Sequence, residues 1–152
     1  LAKAPRYDAV AAGMPFREAA RAIMRASLDA AFGALPGVLR GDDTRSVHDM
    51  RVALRRLRSA MTTFDGCFPP RRFRAVRHAV RRVARRLGAV RDADVHLAAL
   101  RGALGGAAAR DRPGIAAAID EISARRRRAL AEFAIELSQM DRDECVAVLT
   151  DV

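Results

Sequence analysis

His48 and Asp49 stand side by side in the stretch VHDMRVALRRLR, residues 47–58. Such a pair invites metal-dependent phosphohydrolase chemistry, in which both side chains would ligate one cation. The spacing argues against it, because adjacent residues on a helix diverge by about 100° and cannot chelate from one face. The other histidines, His78 and His96, have no second histidine or cysteine one turn away, and no carboxylate cluster accompanies them. No glycine-flanked serine, Cys–His pair or Gly-rich phosphate loop offers a nucleophile or a nucleotide cradle. The chain is therefore read as non-enzymatic, without metal or cofactor, and His96 as a surface or satisfied structural residue.

What the stretch does concentrate is positive charge. His48, Arg51, Arg55 and Arg58 fall within an arc of about 80° and form a basic rail about 15 Å long. Arg51 and Arg55 are like charges four residues apart, which destabilises a helix by about 0.2–0.5 kcal/mol. No carboxylate sits between them on that face; Asp49 and Arg56 point elsewhere. A second rail follows, with Arg74, Arg77, His78, Arg81 and Arg85 within an arc of about 100°. Arg82 and Arg86 extend its charge toward the solvent side. If the two helices pack as antiparallel neighbours, both rails line one groove.

The elements that must carry these rails are helices throughout. Alanine and arginine dominate the chain, tryptophan is absent, and Ala, Leu and Arg stand at the top of the helix propensity scale. Residues 1–14 read as a linker or N-terminal extension, and 15–152 as one helical domain. A first helix starts at Pro15, places Phe16, Ala20, Ile23, Leu28 and Ala31 near one side, and ends before the LPG at 35–37. Asp43 or Thr44 caps a second, which runs to Phe64. Its residues Val47, Met50, Leu54, Leu57, Met61 and Phe64 alternate spacings of three and four, the signature of a core stripe. After the break DGCFPP, a third helix covers 71–100 with the stripe Phe73, Val76, Val80, Val83 and Leu87, and GALGG then loosens the chain. A fourth runs from Pro113 to Met140 along Ile115, Ile119, Ile122, Phe133 and Leu137, and a short fifth covers 142–151. Arg126 lies inside the fourth helix's seam by angle: either it snorkels past its neighbours, or that side faces water and an anion. The resulting fold class is all-α, an antiparallel bundle of four main helices joined by short loops.

The 152 residues carry 28 basic against 18 acidic side chains, a net charge of +10 and a pI near 11.4. Lys3 is the only lysine. Codon bias in a GC-rich genome accounts for much of the choice of arginine, but not for the excess of positive over negative charge. That excess points to a polyanion: a phosphate polymer, nucleic acid or an anionic membrane surface. Base reading is poorly served, since Gln139 is the only Asn or Gln and aromatic residues make up 5% of the chain. Nonspecific nucleic-acid binding therefore stands as the alternative, with a metal-dependent phosphohydrolase behind it. Arginine forks suit repeated phosphate oxygens, which they bind bidentately. Cys67 and Cys145 form no motif and suggest reduced thiols in a cytosol. No apolar run approaches the roughly 18 residues that a bilayer span needs, so membrane insertion is not expected. The opening Leu1 reads as a cut from a longer protein.

VHDMRVALRRLRSAMTTF at 47–64, followed by LGAVRDADVHLAAL at 87–100, resembles a CHAD domain, the conserved-histidine α-helical domain, over about residues 15–140. The resemblance implies two four-helix bundles and binding of inorganic polyphosphate along a basic central groove, in the cytoplasm at polyphosphate granules. By position it implies polyphosphate contacts from His48, Arg51, Arg55, Arg56 and Arg58, and from Arg74, Arg77, His78, Arg81 and Arg85. Arg91 and Asp92 look more like a structural ion pair or helix-contact element. The opening AKAPRY, residues 2–7, is similar to the exit from a CYTH domain, which often precedes CHAD. The chain is about one half of such a domain, so weak binding, a homodimer that completes the groove, and a piece of a longer chain all stay open. In a completed groove, Arg126 would point between the halves.

Overall fold

A computed structural model describes residues 10–41 and 43–150, the side chain of Thr150 excepted. The linker assigned to 1–14 falls mostly outside this range, and the AKAPRY stretch wholly so. Five α-helices and one 3₁₀ turn, Asp65–Cys67, make up the described chain, and no strand occurs in it.

Helix α1 spans Phe16–Arg40 and runs through Pro36, where the sequence suggested an end. Pro36 forfeits one backbone bond, but the turn beyond it is held by packing: Gly37 and Val38 are buried. The helix stops at Gly41, whose left-handed φ of 80° lets its N–H donate to Val38 O. A Cβ on Gly37 would lie 2.6 Å from Ser46 Cβ and closer still to Ser46 Oγ. Gly37→Ala is therefore expected to destabilise the fold by about 1–3 kcal/mol despite alanine's better helix propensity. A urea melt checks this.

By length and composition α1 is also long and apolar enough to cross a bilayer, contrary to the expectation that no run reaches that size. Its apolar stripe faces inward, with Ala20, Met24, Leu28, Ala31 and Val38 all buried. Phe16, expected on that stripe, is 62% exposed because it lies at the helix's first turn, beyond the core. Its ring rests on Phe64 at 4.9 Å between centroids.

Helix α2 spans Thr44–Thr63 and begins at the Asp43 cap, whose side chain accepts from Arg45 N–H at 2.9 Å. The Ser46 hydroxyl also donates to Asp43. These Ser46 and backbone contacts hold the Asp43 carboxyl below its ordinary value. All six residues of the stripe Val47 to Phe64 are buried.

Helix α3 spans Pro70–Gly106, 37 residues or about 55 Å. It continues past Leu100 through Gly102 and Gly105, where loosening was expected. Ala103 and Leu104 favour the helix there, and α4 packs along α3. Phe73, Val76, Val80, Val83 and Leu87 are buried as the spacing predicts.

Helix α4 spans Arg112–Ser138 and α5 spans Arg142–Thr150. α1 packs on α2, α2 on α3 and α3 on α4, while α5 packs on both α1 and α3. Of the expected α4 seam only Phe133 is fully buried; Ile115, Ile119, Ile122 and Leu137 are half-buried. α5 closes the core with Cys145, Val148 and Leu149. Burial pushes the Cys145 thiol up to about 11, so it serves as a packed apolar group rather than a nucleophile.

Candidate functional site: a basic groove between α2 and α3

Once the core stripes of α2 and α3 are turned inward, their basic flanks come out beside each other. His48, Arg51, Arg55 and Arg58 are exposed on α2, and Arg74, His78, Arg81 and Arg85 on α3. The two flanks meet in a groove of about 450 Å³, lined by Arg55 and Arg58 from α2 and by Arg77 and Arg81 from α3. Ser59, Thr62 and Thr63 complete its wall. These hydroxyls escaped sequence reasoning, although they follow the rail at helical spacing. Thr62 and Thr63 donate to the carbonyls of Arg58 and Ser59, at 3.1 Å each.

A neighbouring hollow of about 300 Å³ continues the groove along α2, lined by His48, Arg51, Val52, Arg55 and Arg56. Arg56 lies off the rail by angle, yet its long side chain reaches this hollow. Arg55 belongs to both. Arg74, His78 and Arg85 share the α3 flank but line neither cavity, and Arg74 Nε donates to Pro70 O at 3.2 Å.

Charge pairing divides α3 into two faces. On one, Arg82 pairs with Glu136 at 2.6 Å and Arg86 with Glu132 at 2.7 Å. Arg72 is held by both carboxylate oxygens of Glu144, which keep that acid below its ordinary pKa. Arg82 and Arg86 therefore do not extend the free charge, as the sequence suggested, because acids on α4 neutralise them. On the groove face, Arg51, Arg55, Arg56, Arg58, Arg81 and Arg85 form no ion pair with a described carboxylate. Arg77 is the partial exception. One of its terminal nitrogens donates to Asp65 at 3.1 Å, while its Nε is buried without a hydrogen-bond partner among the described residues. A concave site lined by unpaired cations concentrates positive potential and draws anions to it.

The remaining candidates sit elsewhere. Asp49 turns away from His48 and lies 3.9 Å from Arg45. Among the described residues no three His, Cys, Asp or Glu side chains are grouped to hold a metal ion. Arg126 does lie in the α4 seam, but its partner is already present. Its Nε donates to Asp94 at 2.5 Å and its Nη1 to Gly41 O at 2.6 Å. Arg91 and Asp92, read as a structural ion pair or a helix-contact element, form no ion pair with each other; the buried acid of that motif is Asp94. The α3 turn carries Asp94 onto the core face and leaves Asp92 in solvent.

A comparison with curated proteins and with solved structures gave no match. The CHAD domain family model matches residues 22–151. A helical chain with this groove and a match over most of its length belongs to the CHAD domain family.

Proposed function

We propose that this chain binds inorganic polyphosphate in the α2–α3 groove and acts without catalysis as a targeting or scaffolding module. The observation that carries the reading is the meeting of Arg55, Arg58, Arg77 and Arg81 in one groove, three of them with no described carboxylate partner. Membership of the CHAD family supports the same ligand class. Planar guanidinium forks take phosphate oxygens two at a time, and the Ser59 hydroxyl adds a donor, whereas Thr62 and Thr63 already spend theirs on backbone carbonyls. Among the described residues no aromatic side chain lines the groove to stack a base. His48, Arg51 and Arg56 extend the track beyond it, and Arg74, His78 and Arg85 flank it. Arg126 is assigned to Asp94 rather than to the polymer.

In this reading the helices form one half of a double four-helix bundle with antiparallel neighbours, and a second half or a second copy completes the groove. The module works in the cytoplasm at polyphosphate granules, outside the membrane. Competition tests the ligand class. Long-chain polyphosphate is expected to displace duplex DNA at equal phosphate concentration, with affinity falling steeply as salt rises. Tighter binding to DNA would replace this reading with nonspecific nucleic-acid binding.

A further inference from the structure

A second cavity lies about 25 Å along α3 from the groove and shares no lining residue with it. It measures about 440 Å³ and is framed by the end of α1, the start of α2, α3 and α4. Asp94 is set in its wall with a side chain 1% exposed. One carboxylate oxygen accepts from Arg126; the other is buried without a hydrogen-bond partner among the described residues. Arg91, Arg101 and Arg127 also line the cavity, and none forms an ion pair with a described acid.

These groups make two demands at once. Arg126 already offsets the charge of Asp94, so the three other arginines leave the cavity cationic and suited to an oxyanion. The free Asp94 oxygen is an acceptor in want of a donor, and a buried acceptor left unpaired is costly. A fully ionised oxyanion such as sulfate offers no proton and would set oxygen against oxygen. A phosphate group with a P–OH donates that proton to Asp94 and turns its other oxygens to the arginines. Ser123 adds a hydroxyl.

We propose that this cavity binds a protonated phosphate group, either free orthophosphate or the end of a phosphate chain, and rejects sulfate through Asp94. Interior units of a polyphosphate carry no such proton. The site is therefore distinct in chemistry as well as in place, and does not rest on the groove's ligand.

The test is an amide NMR titration of the full chain with sodium orthophosphate and, separately, sodium sulfate at matched ionic strength near neutral pH. Orthophosphate is expected to shift the resonances of Ala98, Arg101 and Ser123, and to saturate them at a concentration at least about tenfold lower than sulfate. Arg101→Ala with Arg127→Ala removes the response, while Arg55→Ala with Arg58→Ala leaves it intact. Asp94→Asn, whose amide donates to either anion, lets sulfate bind as well as phosphate. If that variant fails to fold, the wild-type preference and the arginine variants still decide. Long-chain polyphosphate separates the sources: saturation in proportion to chain ends assigns the ends, and no response at these residues assigns free orthophosphate. Equal saturation by phosphate and sulfate, or orthophosphate shifts confined to the α2–α3 groove, overturns the proposal without touching the polyphosphate reading. Conversely, absence of long-chain binding to the groove removes that reading and leaves the cavity's test standing.

Discussion

Replacing Arg55 and Arg81 together with alanine is expected to weaken long-chain polyphosphate binding by about a hundredfold near 0.1 M salt, and each single change by about tenfold. Both side chains line the groove, one from α2 and one from α3, and neither has a carboxylate partner among the described residues to compensate its charge. Each removal deletes a charge-assisted contact to phosphate; both are exposed, so the effect sits at the lower end of the range for such contacts. Far-UV circular dichroism should be unchanged, because the variants also relieve repulsion along the rails. The matched control is Arg82→Ala with Arg86→Ala. It removes the same formal charge, but from side chains that Glu136 and Glu132 already hold. Its affinity should fall by no more than about threefold, the part owed to net charge and screened by salt. Equal losses from the two pairs of substitutions would mean that charge alone, and not the groove, sets affinity.

The largest expected effect on stability comes from Arg126→Ala. Asp94 is 1% exposed and Arg126 13% at the side chain, so removing the arginine strands a carboxylate in the interior. Breaking such a pair costs about 3–5 kcal/mol, and the remaining solvent contact of Arg126 places this one near the lower figure. The Nη1 bond to Gly41 O ties α4 to the end of α1 and is lost in the same substitution. Urea denaturation followed by helicity measures the loss. Polyphosphate affinity of the folded fraction should be unchanged, because Arg126 lies outside the groove. A variant as stable as the wild type but with weakened polymer binding would return Arg126 to the ligand site.

The same ion pair shows what was legible in the sequence. The stripe Val47 to Phe64 and the Asp43 cap could be read because period and capping chemistry agree locally. Arg126 could be placed in its seam by angle alone. Its partner could have been found the same way: Asp94 falls within about 40° of Val83, Leu87 and Val90 on α3. A charge in each of two apolar seams requires that they meet. The adjacent Arg91 and Asp92 are set about 100° apart by the helix and do not make such a pair.

Other features depend on contacts that no local rule contains. Pro36 reads as a helix end, and only the packing of Gly37 and Val38 carries α1 on to Gly41. The pairing of Arg82 and Arg86 with acids on α4 depends on the register between two helices. That pairing sorts the arginines of α3 into a neutralised face and an unpaired one. The two rails themselves were legible; the hydroxyl wall of Ser59, Thr62 and Thr63 became apparent only with α3 beside it.

The groove's role is tested most directly by following arginine Nε–Hε resonances while long-chain polyphosphate is added. The signals of Arg55, Arg58, Arg77 and Arg81 are expected to shift together and saturate at one concentration, while those of Arg82 and Arg86, held by Glu136 and Glu132, move little. Shifts centred on Arg82 and Arg86, or spread evenly over all the arginines, would contradict the groove's role.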